Sequence, residues 1–103
     1  MKYLITESQF DKVVFKYLDN QDFIKSEEDG FIYFMNSEGD KDIQIRFYED
    51  DGVCTINSLL VREISKFFSL NNSHSIDVIA KWVEYTLQMG VSRIFTAILY
   101  RED

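Results

Sequence analysis

A chain of 103 residues with 46% hydrophobic and 16% aromatic content carries enough apolar surface for one continuous core, and predicts a single domain over residues 1–103. Its net charge of −7, with every Lys and Arg standing singly, argues against direct nucleic-acid binding and against attraction to anionic membranes. No apolar run approaches bilayer length, Tyr3-Leu4-Ile5 is too short for a signal-peptide core, and Cys54 has no second cysteine to pair with. The expectation is a soluble protein of the reducing cytoplasm.

Residues 2–5 read as a short strand or extended lead-in. Thr6-Glu7-Ser8-Gln9 is a capping box, in which the Thr6 hydroxyl accepts from the Gln9 backbone N–H, and Ile5 and Phe10 occupy the positions of a hydrophobic staple. A helix is predicted from Glu7 to about residue 18, burying Phe10, Val13, Val14, Tyr17 and Leu18, with Asn20 suited to a left-handed close. Residues 23–26 and 31–36 are rich in strand formers around a hairpin composition at 27–30. In the second of these strands Phe31, Tyr33 and Met35 point one way, and Ile32 and Phe34 the other.

After a turn at 37–40, residues 42–48 alternate, with Ile43, Ile45 and Phe47 inward and Gln44, Arg46 and Tyr48 outward. A third turn at 50–52 leads into a strand over 53–57. If Asp51-Gly52 is a two-residue loop, Phe47 pairs with Ile56; Cys54 and Ile56 then face the core while Val53 and Thr55 face out. A bulged three-residue loop would invert those faces, and the first arrangement is favoured.

A second helix is predicted from residue 59 to about 69, capped by Asn57 or Ser58 and burying Leu60, Ile64, Phe67 and Phe68. The third, over residues 75–89, organises the chain. Asp77, Lys81, Glu84 and Gln88 form a narrow polar stripe between two apolar rows, one of Ile76, Ile79, Ala80, Val83 and Leu87, the other of Val78, Trp82, Tyr85 and Met89. Such a helix needs cover on two sides. Ser73 or Ser75 caps its start, and Gly90 stands where a C-cap glycine belongs.

Residues 91–100 form a last strand that is apolar on both faces. The order α-ββββ-αα-β predicts an α+β fold: an antiparallel sheet of four or five strands with three helices mainly on one face. If no helix covers the second face of the last strand, it must pair with another chain, which makes a homodimer one outcome of this design.

Catalytic chemistry finds no support. His74 is the only histidine and reads as a loop residue, while Cys54 reads as a small core residue. No zinc spacing and no phosphate-binding glycine loop occurs, so no enzyme, metal or cofactor is expected. Acidic clusters mark the turns: Glu27, Glu28 and Asp29; Glu38, Asp40 and Asp42; Glu49, Asp50 and Asp51. They read as solvated turns, as a hard-cation site lacking the EF-hand spacing, or as an imitation of nucleic-acid phosphates that fills a basic groove on another protein. The outward strand residues Tyr33, Gln44, Arg46, Tyr48 and Thr55 are a candidate protein-binding face, with aromatic and Arg anchors.

The opening MKYLITESQF, the phrase KYLDNQDF at 16–23 and KWVEYTLQMGVS at 81–92 resemble segments of small phage and environmental-virus proteins of unassigned function. The resemblance implies a viral origin and a host cytoplasm, and it assigns no role to any residue. The functional expectation is a small acidic, non-enzymatic protein-binding module. The alternative is an acidic nucleic-acid mimic that inhibits a host nucleic-acid-binding or defence protein.

Overall fold

The runs of strand formers between turn residues and the three stretches of helical periodicity produce eight elements in the computed structural model, which describes residues 7–36 and 42–100. They are α1 (Glu7–Asn20), β1 (Ile24–Glu28), β2 (Phe31–Met35), β3 (Ile43–Tyr48), β4 (Val53–Asn57), α2 (Ser58–Phe68), α3 (Asn72–Leu87) and β5 (Arg93–Ala97). The extended lead-in at 2–5, the capping-box residue Thr6, the staple residue Ile5 and the turn at 37–40 lie outside the described residues.

The sheet runs β1-β2-β3-β4-β5. The first four strands form an antiparallel meander, but β5 lies parallel to β4, so the sheet is mixed rather than purely antiparallel. The cause is the connection. Two helices stand between β4 and β5 and return the chain to the end where β4 began, as a parallel neighbour requires.

Two Asp-Gly pairs behave differently. Asp29-Gly30 closes β1 and β2 as a two-residue turn, with both φ values positive at 53° and 83°, the type I′ geometry that matches strand twist. Asp51-Gly52 does not. Tyr48 pairs with Val53 and Phe47 with Cys54, so residues 49–52 all belong to the loop, closed by the Gly52 N–H donating to the Tyr48 carbonyl at 2.9 Å. The register therefore differs by two residues from the expected one. A shift of two preserves side-chain faces, and Cys54 and Ile56 are buried as expected.

A bulge has the opposite consequence. Phe34 pairs with Ile45 but Met35 with Ile43, so Gln44 is skipped. Ile43 leaves the inward row and packs with Met35, Leu99 and Tyr33 in a small second cluster on the other face.

The main core lies between one face of the sheet (Ile32, Phe34, Ile45, Phe47, Cys54, Ile56) and all three helices. From α3 it takes Val78, Ile79, Trp82 and Val83, from α1 Val14 and Leu18, and from α2 Leu60, Val61 and Ile64. Trp82 is the hub. Its ring lies 5.3 Å from Phe34 and 5.8 Å from Phe23, and its Nε1 donates to Asp19 Oδ1 at 2.9 Å. Burying such side chains contributes roughly 1.5–3 kcal/mol each.

The cover over α3 is less complete than its two apolar rows suggest: Tyr85 is 61% and Met89 40% exposed. Val13 and Phe67 are likewise outside the core, while Val61 is inside it. Phe67 keeps a partner at the surface, its ring 5.0 Å from that of Tyr17.

The helix ends also differ from the expected ones. Asn71 caps α3, accepting from the His74 N–H at 2.7 Å, which frees Ser75 to sit buried 2.7 Å from Ser65 Oγ. His74 therefore belongs to the first turn of α3, with its ring 6.2 Å from Phe10, and not to a loop. Gln88, not Gly90, takes the left-handed C-cap conformation, and after α1 the positive φ falls at Asp22 rather than Asn20. Short polar or flexible side chains pay the modest left-handed cost where the next segment must turn sharply.

Asn57 joins the halves. Its Oδ1 accepts from the Leu59 N–H at 2.9 Å and caps α2, while its Nδ2 donates to the Ile43 carbonyl at 2.8 Å and the Leu99 carbonyl at 3.3 Å. Residues 98–100 continue past the end of β4 and bond to the start of β3, with the Ile43 N–H donating to Leu99 O at 3.2 Å and Tyr100 bridging Asp42. A single buried amide thus satisfies a helix start and two strand ends.

Candidate protein-binding face

Side chains of the sheet that point away from the helices line up in rows across all the strands. One row is Ser26–Tyr33–Arg46–Thr55–Phe95, and the next is Glu28–Phe31–Tyr48–Val53–Arg93. No helix among the described residues covers this face. The rings of Phe31 and Tyr48 stack at 4.6 Å, Tyr33 stacks on Phe31 at 6.0 Å, and Arg46 Cζ lies 5.5 Å from the centre of the Phe31 ring. At that distance the ring quadrupole attracts the guanidinium, so the Arg46 charge lies against the aromatic patch. A cleft of about 350 Å³ runs over it, lined by Glu28, Asp29, Phe31, Tyr33, Ile43, Arg46 and Tyr100.

Of the expected face, Tyr33, Arg46, Tyr48 and Thr55 share this surface. Thr55 is only 5% exposed, so it is a floor beneath its neighbours rather than an anchor. Gln44 is a correction: the bulge turns it to the opposite side, where it lines a separate cleft with Phe23, Leu59, Leu60 and Glu63. Phe31 and Phe95 belong to the face and were missing from it. Strand alternation already assigned Phe31 to the side of Tyr33, whereas the side of Phe95 depends on a long-range register that no local pattern encodes.

The acidic turns come together. Glu27, Glu28 and Asp29 close one hairpin, Glu49, Asp50 and Asp51 the next, and both turns lie at the same end of the meander. The Glu49 N–H donates to the Gly30 carbonyl at 3.1 Å, tying one turn to the other. The Tyr48 hydroxyl donates to Asp50 Oδ2 at 3.2 Å; that hydrogen bond and the Asp50 charge, with smaller contributions from burial and Asp51, raise the phenol above its ordinary value. Asp42 stands at the opposite end, bridged to Tyr100, while Glu38 and Asp40 lie outside the described residues. Among the described residues no three His, Cys, Asp or Glu side chains converge as metal ligands.

Cys54 is fully buried under the helices, and burial, reinforced by the charge of Glu84, pushes its thiol up to about 12. At neutral pH it is an inert core residue and supplies no thiolate.

The two edges of the sheet differ in kind. β1 is the sequence Ile-Lys-Ser-Glu-Glu, with Lys25 4.0 Å from Glu27. β5 is Arg-Ile-Phe-Thr-Ala, exposed at all five positions, and is continued by Ile98, 59% exposed. Its start is pinned by Ser92, whose N–H donates to the Gly52 carbonyl at 2.8 Å and whose hydroxyl donates to the Asp51 carbonyl. Its far end is held through Leu99 by Asn57. Between those pins, among the described residues, only β4 bonds to it.

No helix among the described residues is long and apolar enough to cross a membrane. Comparison with protein-family models, with curated proteins and with solved structures gives no match.

Proposed function

We propose that this protein acts by binding rather than catalysis, and that it holds a basic segment of another protein on the helix-free face of its sheet. The observation that carries this is a pre-stacked aromatic patch (Phe31, Tyr33, Tyr48) opening directly onto joined acidic turns. Aromatic rings supply apolar area and cation–π attraction for Lys or Arg, and the carboxylates supply long-range steering. Arg46 adds a donor for a carbonyl or carboxylate on the same partner. The cytoplasm, where a lone thiol stays reduced, is the compartment this reading assumes.

The test is titration of the protein with a synthetic peptide that alternates Lys or Arg with Leu, followed by amide chemical shifts. Shifts should concentrate on β2 and β3, and Tyr33→Ala or Phe31→Ala should weaken binding by about 2 kcal/mol each, as expected of interface anchors. Shifts confined to the helices would overturn the reading.

The bond between the two acidic turns also favours a second reading, in which the carboxylates alone occupy a basic groove on a nucleic-acid-binding protein. Salt separates the two. Binding through acidic tips collapses as ionic strength rises, whereas an aromatic floor retains a salt-resistant remainder.

A further inference from the structure

We propose that β5 is a dimerisation strand: its free edge pairs antiparallel with β5 of a second copy of this chain, about a two-fold axis at Phe95. The strand is held by β4 along one side and by pins at its two ends, but its own side chains bury little apolar surface within the chain. Fixing a backbone costs roughly 1–2 kcal/mol per residue, and apolar burial normally offsets it. Here all five residues from Arg93 to Ala97 are exposed, including Ile94 at 36% and Phe95 at 52%. One side of the strand also presents backbone N–H and C=O groups to solvent, a template for another strand. The opposite edge carries the charges that normally prevent such pairing (Lys25, Glu27, Glu28), so this chain blunts one edge and leaves the other open.

The occupant is a second copy because β5 is complementary to itself. With Phe95 on the axis, Ile94 lies opposite Thr96 and Arg93 opposite Ala97, so no like charges meet and β-branched and aromatic side chains pair across the seam. Electrostatics selects the antiparallel arrangement. β5 begins at the end of the sheet that carries the acidic turns, since Arg93 pairs with Val53 and Ser92 bonds to residues 51 and 52. Antiparallel pairing sends the two acidic ends of a protein with net charge −7 to opposite ends of the joined sheet. Parallel pairing would bring them side by side, and it does not close into a two-fold dimer.

The surface available for pairing is one strand wide, at the low end of specific interfaces. The dimer is therefore weak and concentration-dependent. A two-fold axis perpendicular to the sheet keeps both helix-free faces on the same side, so dimerisation yields one continuous sheet with two aromatic patches.

Sedimentation across low to high micromolar concentration should show the mass of the wild-type chain rising to twice the monomer value. Added salt should strengthen the association by screening the net charge, the reverse of its effect on a basic peptide bound to the open face. Phe95→Lys and, separately, Ile94→Lys should weaken the dimer about thirtyfold or more while Trp82 fluorescence and circular dichroism stay unchanged. In a mixture of Arg93→Cys and Ala97→Cys chains, oxidised glutathione should form 93–97 cross-links in preference to 93–93. A chain that stays monomeric throughout, a dimer indifferent to both Lys substitutions, or predominance of 93–93 cross-links would each overturn the proposal. Ile94 lies on the helix side of the strand, so the effect of Ile94→Lys on the dimer is independent of whether the open face binds a basic segment.

Discussion

The two edges of the sheet are both strands of five residues, both exposed, and both bonded on one side only, yet they are built to different rules. β1 follows directly on α1, turns tightly through Asp29-Gly30, and shows water Lys25, Glu27 and Glu28 beside a single apolar residue, Ile24. β5 arrives after a long helical crossover, is pinned only at its ends, and shows water Ile94 and Phe95. The difference teaches that exposure alone does not mark an interface. What marks it is exposure of side chains that gain by leaving water, on a backbone whose hydrogen bonds are half made.

The largest expected effect comes from removing the pin at the far end of β5. Asn57→Ala takes away the α2 cap and the amide donor to the Ile43 carbonyl, and leaves the Leu99 carbonyl with the Ile43 N–H alone, a loss of about 3 kcal/mol in urea unfolding. Amide exchange should accelerate first at Leu99 and β5, and least at β1. Equal acceleration at both edges would erase the distinction between them.

Next is the pin at the start. Gly52 has φ +69°, and a Cβ there would meet the Gly90 carbonyl at 3.0 Å and Ser92 Oγ at 3.1 Å. Gly52→Ala should cost about 1–2 kcal/mol and loosen β5 ahead of the β3–β4 hairpin.

Making the edges alike should change assembly more than stability. Lys25→Ile with Glu27→Val gives β1 an apolar edge too. Thermal unfolding should change by about 0.5 kcal/mol or less, while light scattering should show open-ended growth instead of a closed pair.

The smallest effects are alkaline and leave the edges equal. The folded-state values of Tyr48 and Cys54 both lie above those of the free groups, so the protonated forms favour the fold. Their contribution is whole below about pH 9 and is lost as pH rises: for Cys54 between 9.0 and about 12, and for Tyr48 above 10.0. At pH 8 a thiol reagent should label Cys54 only when the chain unfolds.

Much of the fold is legible in the sequence because local physics decides it. The Val14 and Leu18 positions of α1, the alternation of β2 and of β3 from Ile45 onward, the Val78, Ile79, Trp82 and Val83 core of α3 and the α-ββββ-αα-β order survive in the structure. Even the wrong loop length between β3 and β4 left Cys54 and Ile56 on the correct side, because the slip was even. The bulge at Gln44 was not legible. It serves the packing of Ile43 against Leu99, a contact between residues far apart in sequence.

The same holds for Asn57. Its capping role reads directly from its place before α2, but its two other hydrogen bonds join residues far apart in sequence. Within the candidate site, Tyr33, Arg46 and Tyr48 follow from alternation. Phe95 follows only once β5 is known to lie parallel to β4.

The most direct measurement is amide hydrogen exchange of the two edge strands at several protein concentrations. Protection of the outward-facing amides of β5 should rise as the chain is concentrated, while that of β1 stays constant. Equal exchange of β5 and β1 at every concentration would contradict the claim that one edge is built to be covered and the other to stay in water.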